Sequence, residues 1–499
     1  TTDAVARRDE HRLRSGHLGV LAVAFFVISA AAPLTGMAGG APVAMLLGNG
    51  PGMPGSYVVV TLLMLIFAVG YVAMARHHAA AGAFYSYVAR AMGGSAGGAA
   101  AWVALLGYNA MQTGLYGLWG FASAAFVQTA FSVTVPWWVM ALGAWALIAV
   151  LGYRQIDLSL KVLGVLVACE FLMVAAFDVM VLIKGGSGGT GGLSLSPFSL
   201  HSFAVGSPAL GLLFAAASFI GFEATTIYSE EAKQPERTIP RATYLAVLTI
   251  GIFFMLTSWL MVNAYGDNST LQAFLVSDAL GGDPTNFLFA MSSSYLGDFL
   301  TNYVMLFLFA TSLFAALLAF HNAVARYLYA LGRDGLVPEQ LGHTHEVHLS
   351  PHMGSISQSV VAFVVIAIFA ITGKDPVLTL FTWLTQLGTL AITYLMAAAA
   401  LAVLVFFLRN PSLEPSTWRR LIAPAIAFAG LLVLSVFATM KFSFLIGGSS
   451  VLGWVLPALV PVAVAIGWVS AEMLRKREPA AYAQIGRNRA VQLTEAENL

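Results

Sequence analysis

Charge is scarce in this sequence. Only 9% of its 499 residues are Asp, Glu, Lys or Arg, where a water-soluble chain carries about a quarter. Hydrophobic types make up 59% and mean hydropathy is +0.82, so too little polar side chain exists to cover a globule of this size, and lipid is the expected solvent. The formal net charge of +1 offers no general attraction to nucleic acid, which is not an expected partner. A single cysteine, Cys169, excludes an intrachain disulfide and any multi-cysteine metal site; within its apolar run it reads as a packing residue. A phosphate-cradling Gly-Lys-Ser/Thr loop is missing too, which argues against nucleotide-driven work. Within the apolar runs no His, Cys, Asp or Glu set has ligand or catalytic spacing, so neither an enzyme nor a cofactor is expected.

What the chain does have is length in its apolar runs. Stretches able to cross about 30 Å of hydrocarbon recur near 18–47, 55–75, 97–127, 136–153, 158–183, 204–229, 242–265, 299–325, 354–372, 377–408, 421–440 and 451–474. Backbone in lipid must satisfy its own hydrogen bonds, and runs this continuously apolar are helices and not barrel strands. The expected fold class is therefore an all-α polytopic membrane protein of about twelve spans. Of the 24 basic residues, only Lys184, Lys374 and Lys441 fall in loops assigned to the outside. Basic residues are retained on the cytoplasmic side, so both termini are expected there, in a cytoplasmic (inner) membrane. Residues 1–17 and 476–499 read as short tails around one membrane domain, 18–475. The Arg-rich start (Arg7, Arg8, Arg12, Arg14) leads into a run too long for a signal peptide and is read as preceding a retained span. Gly185 to Gly192 reads as a flexible outer loop, and the long outer segment with Asp267, Asp278 and Asp283 as a place for short surface helices.

Two spans carry breaks. The first holds Pro33, Thr35, Gly36, Met37, Ala38, Gly39, Gly40 and Pro42 in the middle of its apolar run; a continuous helix there loses hydrogen bonds and meets a steric clash. The sixth has a weaker signal, Ser218-Phe219-Ile220-Gly221-Phe222-Glu223. Unwound backbone at membrane depth survives only where it is buried in protein or lines a watery cavity. Paired interruptions five spans apart point to an inverted-repeat transporter site, in which half-helix N-termini hold a carboxylate and half-helix carbonyls an ammonium. A kink used only for close packing is the competing reading.

The stretch Gly221-Phe-Glu223-Ala-Thr-Thr-Ile-Tyr-Ser-Glu230-Glu231-Ala-Lys233-Gln-Pro235-Glu-Arg237-Thr-Ile-Pro240-Arg241 resembles the segment after the sixth helix of the amino acid–polyamine–organocation permease superfamily. Ala325-Arg326 through Gly332-Arg333-Asp334-Gly335 to Pro338 resembles its loop after the eighth helix. The resemblance implies two inverted five-helix repeats (about 18–184 and 204–409), extra helices at 420–475, and alternating access. The break at Ala32-Pro33-Leu-Thr35-Gly36 departs from the Gly-Ser-Gly type and is closer to a form found in putrescine-importer-like members.

Candidate residues follow. Substrate is expected between Thr35, Gly36, Met37, Ala38 and Gly39 of the first break and Phe219, Ile220, Gly221, Phe222 and Glu223 of the second. Glu223 either pairs with a substrate ammonium or complements the second half-helix, and the two roles are compatible. Glu170, with no polar neighbour in the fifth span, is either a proton-coupling group or a structural carboxyl bonded to helix one or eight. By resemblance it falls about where some proton-coupled members carry a lysine. Asp178 lies nearer the outer end, within reach of water. Thr311 and Ser312 are sodium-ligand candidates by resemblance, although such hydroxyls more often bond backbone or a neighbouring helix. Tyr108, Asn109 and Gln112 in the third span, and Trp383, Thr385 and Gln386 in the tenth, either line the site or act as interhelical glue, the reading modestly favoured for each. Glu230 and Glu231 with Arg237 or Arg241, and Arg333 with Asp334, are candidate members of an inner gate network. His321 reads as a packing or gating residue, and His343, His345, His348 and His352 as solvated, so no metal is expected. The expected function is secondary transport of an amino acid or related small amine, coupled to H+ or, as second choice, Na+. Polyamine import, amino acid exchange and a membrane receptor for an amine are the alternatives.

Overall fold

The computed structural model describes residues 19–77, 83–154, 160–223, 225, 232–343, 350–448 and 450–486. Among these the chain is helical, with no strand and one isolated bridge, Gly186 to Gly191. The membrane elements are α1 (Val20–Ala30), α2 (Thr35–Leu47), α3 (Met53–Ala75), α4 (Ala83–Met92), α5 (Gly94–Phe131), α6 (Trp137–Tyr153), α7 (Leu160–Lys184) and α8 (Pro208–Ala217). They continue with α9 (Pro235–Tyr265), α10 (Asn286–Leu296), α11 (Leu306–Arg333), α12 (His352–Ile371), α13 (Thr382–Arg409), α14 (Ala423–Leu445), α15 (Ser450–Arg477) and the short α16 (Pro479–Tyr482). Eight helices among the described residues are long and apolar enough to cross a membrane. The remaining expected spans are the two broken ones (α1 with α2, and α8 onward), the 17-residue α6, and α5. At 38 residues α5 is long enough, but it carries Tyr108, Asn109, Gln112 and several glycines.

Burial follows the helical period with the polarity turned outside in. On α7, Glu170, Val174, Phe177, Asp178 and Val181 face the interior, while Val165, Leu172, Val179 and Ile183 face outward. That pattern requires an apolar surround for the outer face. Cys169 lies on this outer face and is exposed, so it does not pack inside as the sequence suggested. Asp178 departs in the other direction. It is 5% exposed and accepts a hydrogen bond from the Thr257 hydroxyl of α9 at 2.7 Å, because its place on the inner stripe turns it away from water. The Gly185–Gly192 segment forms a tight turn: the Gly189 and Gly191 amides both donate to the Gly186 carbonyl (3.0 and 2.9 Å). In the outer segment after α9, a short helix (Leu271–Phe274) and α10 are formed.

A close seam joins α5 to α13 and to the π turn that leads into it, Pro376–Phe381. A side chain at Gly107 would meet Ile392 at 2.7 Å, one at Gly388 the Gly107 carbonyl at 2.7 Å, and one at Gly117 the Pro376 carbonyl at 2.3 Å. Small residues allow this approach where apolar lipid gives helices little hydrophobic reason to associate. Gly117→Ala is expected to cost about 1–3 kcal/mol of stability and to lower the melting temperature in detergent. Gly143→Ala, which meets nothing within 4 Å, should leave it unchanged; equal melting of the two variants would count against the seam.

Candidate substrate and coupling site

The first interruption lies earlier than its glycines suggest. The residue before a proline is pushed out of the α region, and Ala32, before Pro33, takes a left-handed φ of 43°. α1 therefore stops at Ala30. Pro33 opens the next segment, where its missing N–H would have no in-helix partner anyway. The Gly36 amide donates to the Ala32 carbonyl at 3.0 Å, so the chain is helical again immediately. Thr35 to Gly40 form a wide π turn that ends just before Pro42, whose absent N–H would leave the Ala38 carbonyl without its regular donor. Gly36 and Gly39 are thus helical residues in close contact. A side chain on Gly36 would meet the Phe254 ring at 2.2 Å, and one on Gly39 would meet Leu118 at 2.4 Å.

Glu170 meets the start of this second half-helix. Its carboxylate, 1% exposed, accepts from the Ser312 hydroxyl of α11 at 2.7 Å, and Ser312 in turn lies 3.2 Å from the Thr35 hydroxyl. The Leu34 N–H is directed at the same carboxylate. Three helices are tied together at a helix end whose partial charge is positive. Thr311 is not part of the cluster, since its hydroxyl bonds to the Leu308 carbonyl of its own helix at 2.9 Å.

The sixth span breaks where expected. α8 ends at Ala217, and Ser218 to Glu223 run as turns, with Gly221 at φ 109°, a conformation only glycine adopts without strain. Glu223, 3% exposed, folds back so that one carboxylate oxygen accepts from the Gly221 N–H at 2.9 Å. The other accepts from the Tyr108 hydroxyl of α5. The Glu223 carbonyl accepts from the Tyr71 hydroxyl of α3 at 3.1 Å. Glu223 thus caps its own break and binds it to α5 and α3. The Tyr108 ring stands 5.2 Å from that of Tyr327 on α11.

The two breaks are joined through α3 and α9. Phe254, in contact with Gly36, packs its ring 5.5 Å from that of Tyr57 at a tilt of 45°, and the Tyr57 hydroxyl reaches Ser218 at 3.5 Å. At their far ends the Ser207 amide donates to the Gly48 carbonyl at 2.8 Å, so α2 and α8 are pinned side by side.

With this geometry in place, comparison with known proteins is decisive. A sequence profile described as "Amino acid permease" matches residues 18–469. The chain belongs to the amino acid permease family. It is 25% identical over 318 residues to the low-affinity putrescine importer of Escherichia coli K12, covering 63% of this chain and 67% of that one. It is 24% identical over 361 residues to a branched-chain amino acid permease of Lactococcus lactis (64% and 69%), and 25% identical over 315 residues to a lysine-specific permease of the same organism (58% and 57%). The permease is accordingly a multi-pass membrane transporter and not an enzyme, and the superfamily resemblance of its two motifs holds across nearly the whole chain.

Other candidate residues of the permease lie elsewhere. Asn109 and Gln112 turn to α12: Asn109 donates to the Gln358 side-chain oxygen at 2.5 Å, Gln358 to that of Gln112 at 2.6 Å, and Gln112 to the Tyr116 hydroxyl at 3.1 Å. With Gln112 0% exposed, the network has the form of interhelical glue. Trp383 packs its ring 6.0 Å from Phe369, also on α12. Thr385 bonds to the Phe381 carbonyl at 2.7 Å, and the buried Gln386 oxygen has no partner among the described residues. His321 is buried with Nε2 2.8 Å from the Ser355 hydroxyl, a packing role that Gly152 accommodates. Among the described residues no group of three metal-ligating side chains forms.

The inner gate is described only in part. Arg333 is exposed, stacked 5.6 Å over the Tyr329 ring, and Asp334 accepts from the Gly486 amide at 3.2 Å. Arg237 and Arg241 are exposed, while Glu230, Glu231, His345 and His348 lie outside the described residues.

Sequence reasoning missed Gln358, a lone amide in an apolar run, and Phe254 and Tyr57, which carry no signal. Gln358→Leu would remove a partner from the buried Gln112 and from the half-buried Asn109, and is expected to destabilise the permease by about 1–3 kcal/mol with substrate KM unchanged. A raised KM at unchanged stability would instead place Asn109 and Gln112 in the substrate site.

Proposed function

We propose that this permease moves an amino acid or related small amine by alternating access at the two breaks, with a proton as the coupling ion. The observation carrying this reading is a buried carboxylate at each break, Glu223 by the second and Glu170 by the first. Carboxylates are costly at such depth and mark ion or substrate paths. Substrate would lie between Thr35–Gly39 and Phe219–Glu223, with its carboxylate toward half-helix amides and its ammonium toward carbonyls and Glu223. Glu170 would load and release the proton. Sodium is the second choice, because of the two candidate hydroxyls only that of Ser312 joins the Glu170 cluster, while that of Thr311 turns to the Leu308 carbonyl of its own helix.

The proposed organisation is two inverted repeats, about 18–184 and 204–409, followed by helices within 420–475, in a cytoplasmic (inner) membrane with both tails cytoplasmic. A polyamine substrate is the second reading, favoured by the putrescine-importing relative and by the proline at the first break.

Proteoliposomes given labelled amino acids and putrescine under imposed pH or sodium gradients test the proposal. Uptake should rise when the outside is more acidic, and stay flat with sodium. Glu170→Gln is expected to abolish pH-driven accumulation while exchange persists; intact accumulation would remove its coupling role. Glu223→Gln should weaken amine binding about tenfold or more, the scale of one charge-assisted hydrogen bond. Unchanged affinity would leave Glu223 a structural cap.

A further inference from the structure

The bundle holds a large apolar recess lined by no residue of either break. It encloses about 660 Å³ between α4, α5, α13, α14 and α15, lined by Met92, Ala99, Val103, Ala458, Val464 and Trp468 among others. That lies within the roughly 300–1,000 Å³ typical of ligand pockets. Alanines on both walls create the room, and Trp454 and Trp468 stand exposed at 60% and 48% on its rim. A second cavity of about 360 Å³ adjoins it, lined by Arg90, Met92, Gly93, Arg409, Tyr482 and Gly486 among others. Met92 belongs to both.

The two cavities differ in chemistry. Among the described residues the smaller is lined by two arginines and no carboxylate. Arg409 spends one N–H on the Ala91 carbonyl at 2.7 Å, and Arg90 is exposed and takes no part in the ion pairs found among the described residues. The neighbouring carboxylate Glu472 is engaged: Ser95 donates to it at 2.6 Å and Arg475 lies 3.6 Å away. A space beside Gly93 is open, with nothing within 4 Å of where a side chain would begin. Cationic at a helix end and sharing Met92 with an apolar slot along the span, the pair suits a molecule with an anionic head and a hydrocarbon tail.

We propose that this pair of cavities binds an anionic phospholipid, its phosphate between Arg90 and Arg409 and one acyl chain along the α5–α15 groove. Basic pockets between transmembrane helices take such headgroups. The lipid would act on α4, which lines both cavities at one end. At its other end, Phe84 packs 5.9 Å from Phe67 and 6.4 Å from Phe222, next to Glu223. Occupancy would therefore hold α4 against the second break. This inference concerns a different surface from the transport site and does not depend on which solute is carried.

Native mass spectrometry of the purified full-length chain, with phosphatidylglycerol and phosphatidylcholine offered together, tests it. The wild type should retain phosphatidylglycerol preferentially. Arg90→Gln and Arg409→Gln should each lower that preference about fivefold, and Ala458→Trp should lose the retained lipid with both arginines intact. Equal retention of the two lipids by the wild type overturns the proposal, as does undiminished preference in the variants. So does displacement of phosphatidylglycerol by free glycerol phosphate, which would mark a simple phosphate site. The wild-type arm stands alone if a variant fails to fold.

Discussion

Proline at position 33 has no N–H to give and pushes Ala32 out of helical geometry. Deep in a bilayer that would strand backbone groups, each costing several kcal/mol. A turn beginning in the wrong solvent must find partners from its neighbours, and Glu170, Ser312 and Thr35 gather at that point from three separate helices. The centre of the bundle is organised by this need. The same holds at Gly221, where the side chain of Glu223 supplies what the backbone lacks.

Both breaks are therefore polar without being open. Each acidic side chain already has protein partners, so a solute or ion entering must compete with existing hydrogen bonds. Such competition is the kind of differential contact by which a ligand shifts a conformational equilibrium. Tyr108 matters here because it links Glu223 to α5 and stacks near α11. A change at one carboxylate is felt by helices that also frame the other.

Much of the fold was readable from the chain, because membrane helices announce themselves by length and by the confinement of charge. The twelve expected spans correspond to helices or helix pairs, and the family follows from two motifs at helix ends. Finer features escaped for identifiable reasons. A Pro-Gly-rich run tells that a helix is disturbed, not whether the disturbance falls at Ala32 or Gly36. The stretch's glycines serve contacts with Phe254 and Leu118 that no local pattern encodes. For Asn109 and Gln112 the local sequence favours a helix seam over a cavity wall only modestly. Only the position of Gln358, some 250 residues away in sequence, separates those readings. Asp178 and Cys169 are both placed differently by the structure, since the phase of α7, about 100° per residue, decides which side of the helix meets lipid and no local pattern fixes it.

The dimensions of α5 carry one more implication. At about 1.5 Å per residue, its 38 residues form a rod of roughly 57 Å, nearly twice the hydrocarbon thickness of about 30 Å. Such a rod must lean steeply or jut past the lipid, and its glycine seam ties α13 to whichever course it takes. Motions that open one face of the bundle would then have an oblique fixed beam to pivot on, and a bilayer of different thickness would change the angle of that beam.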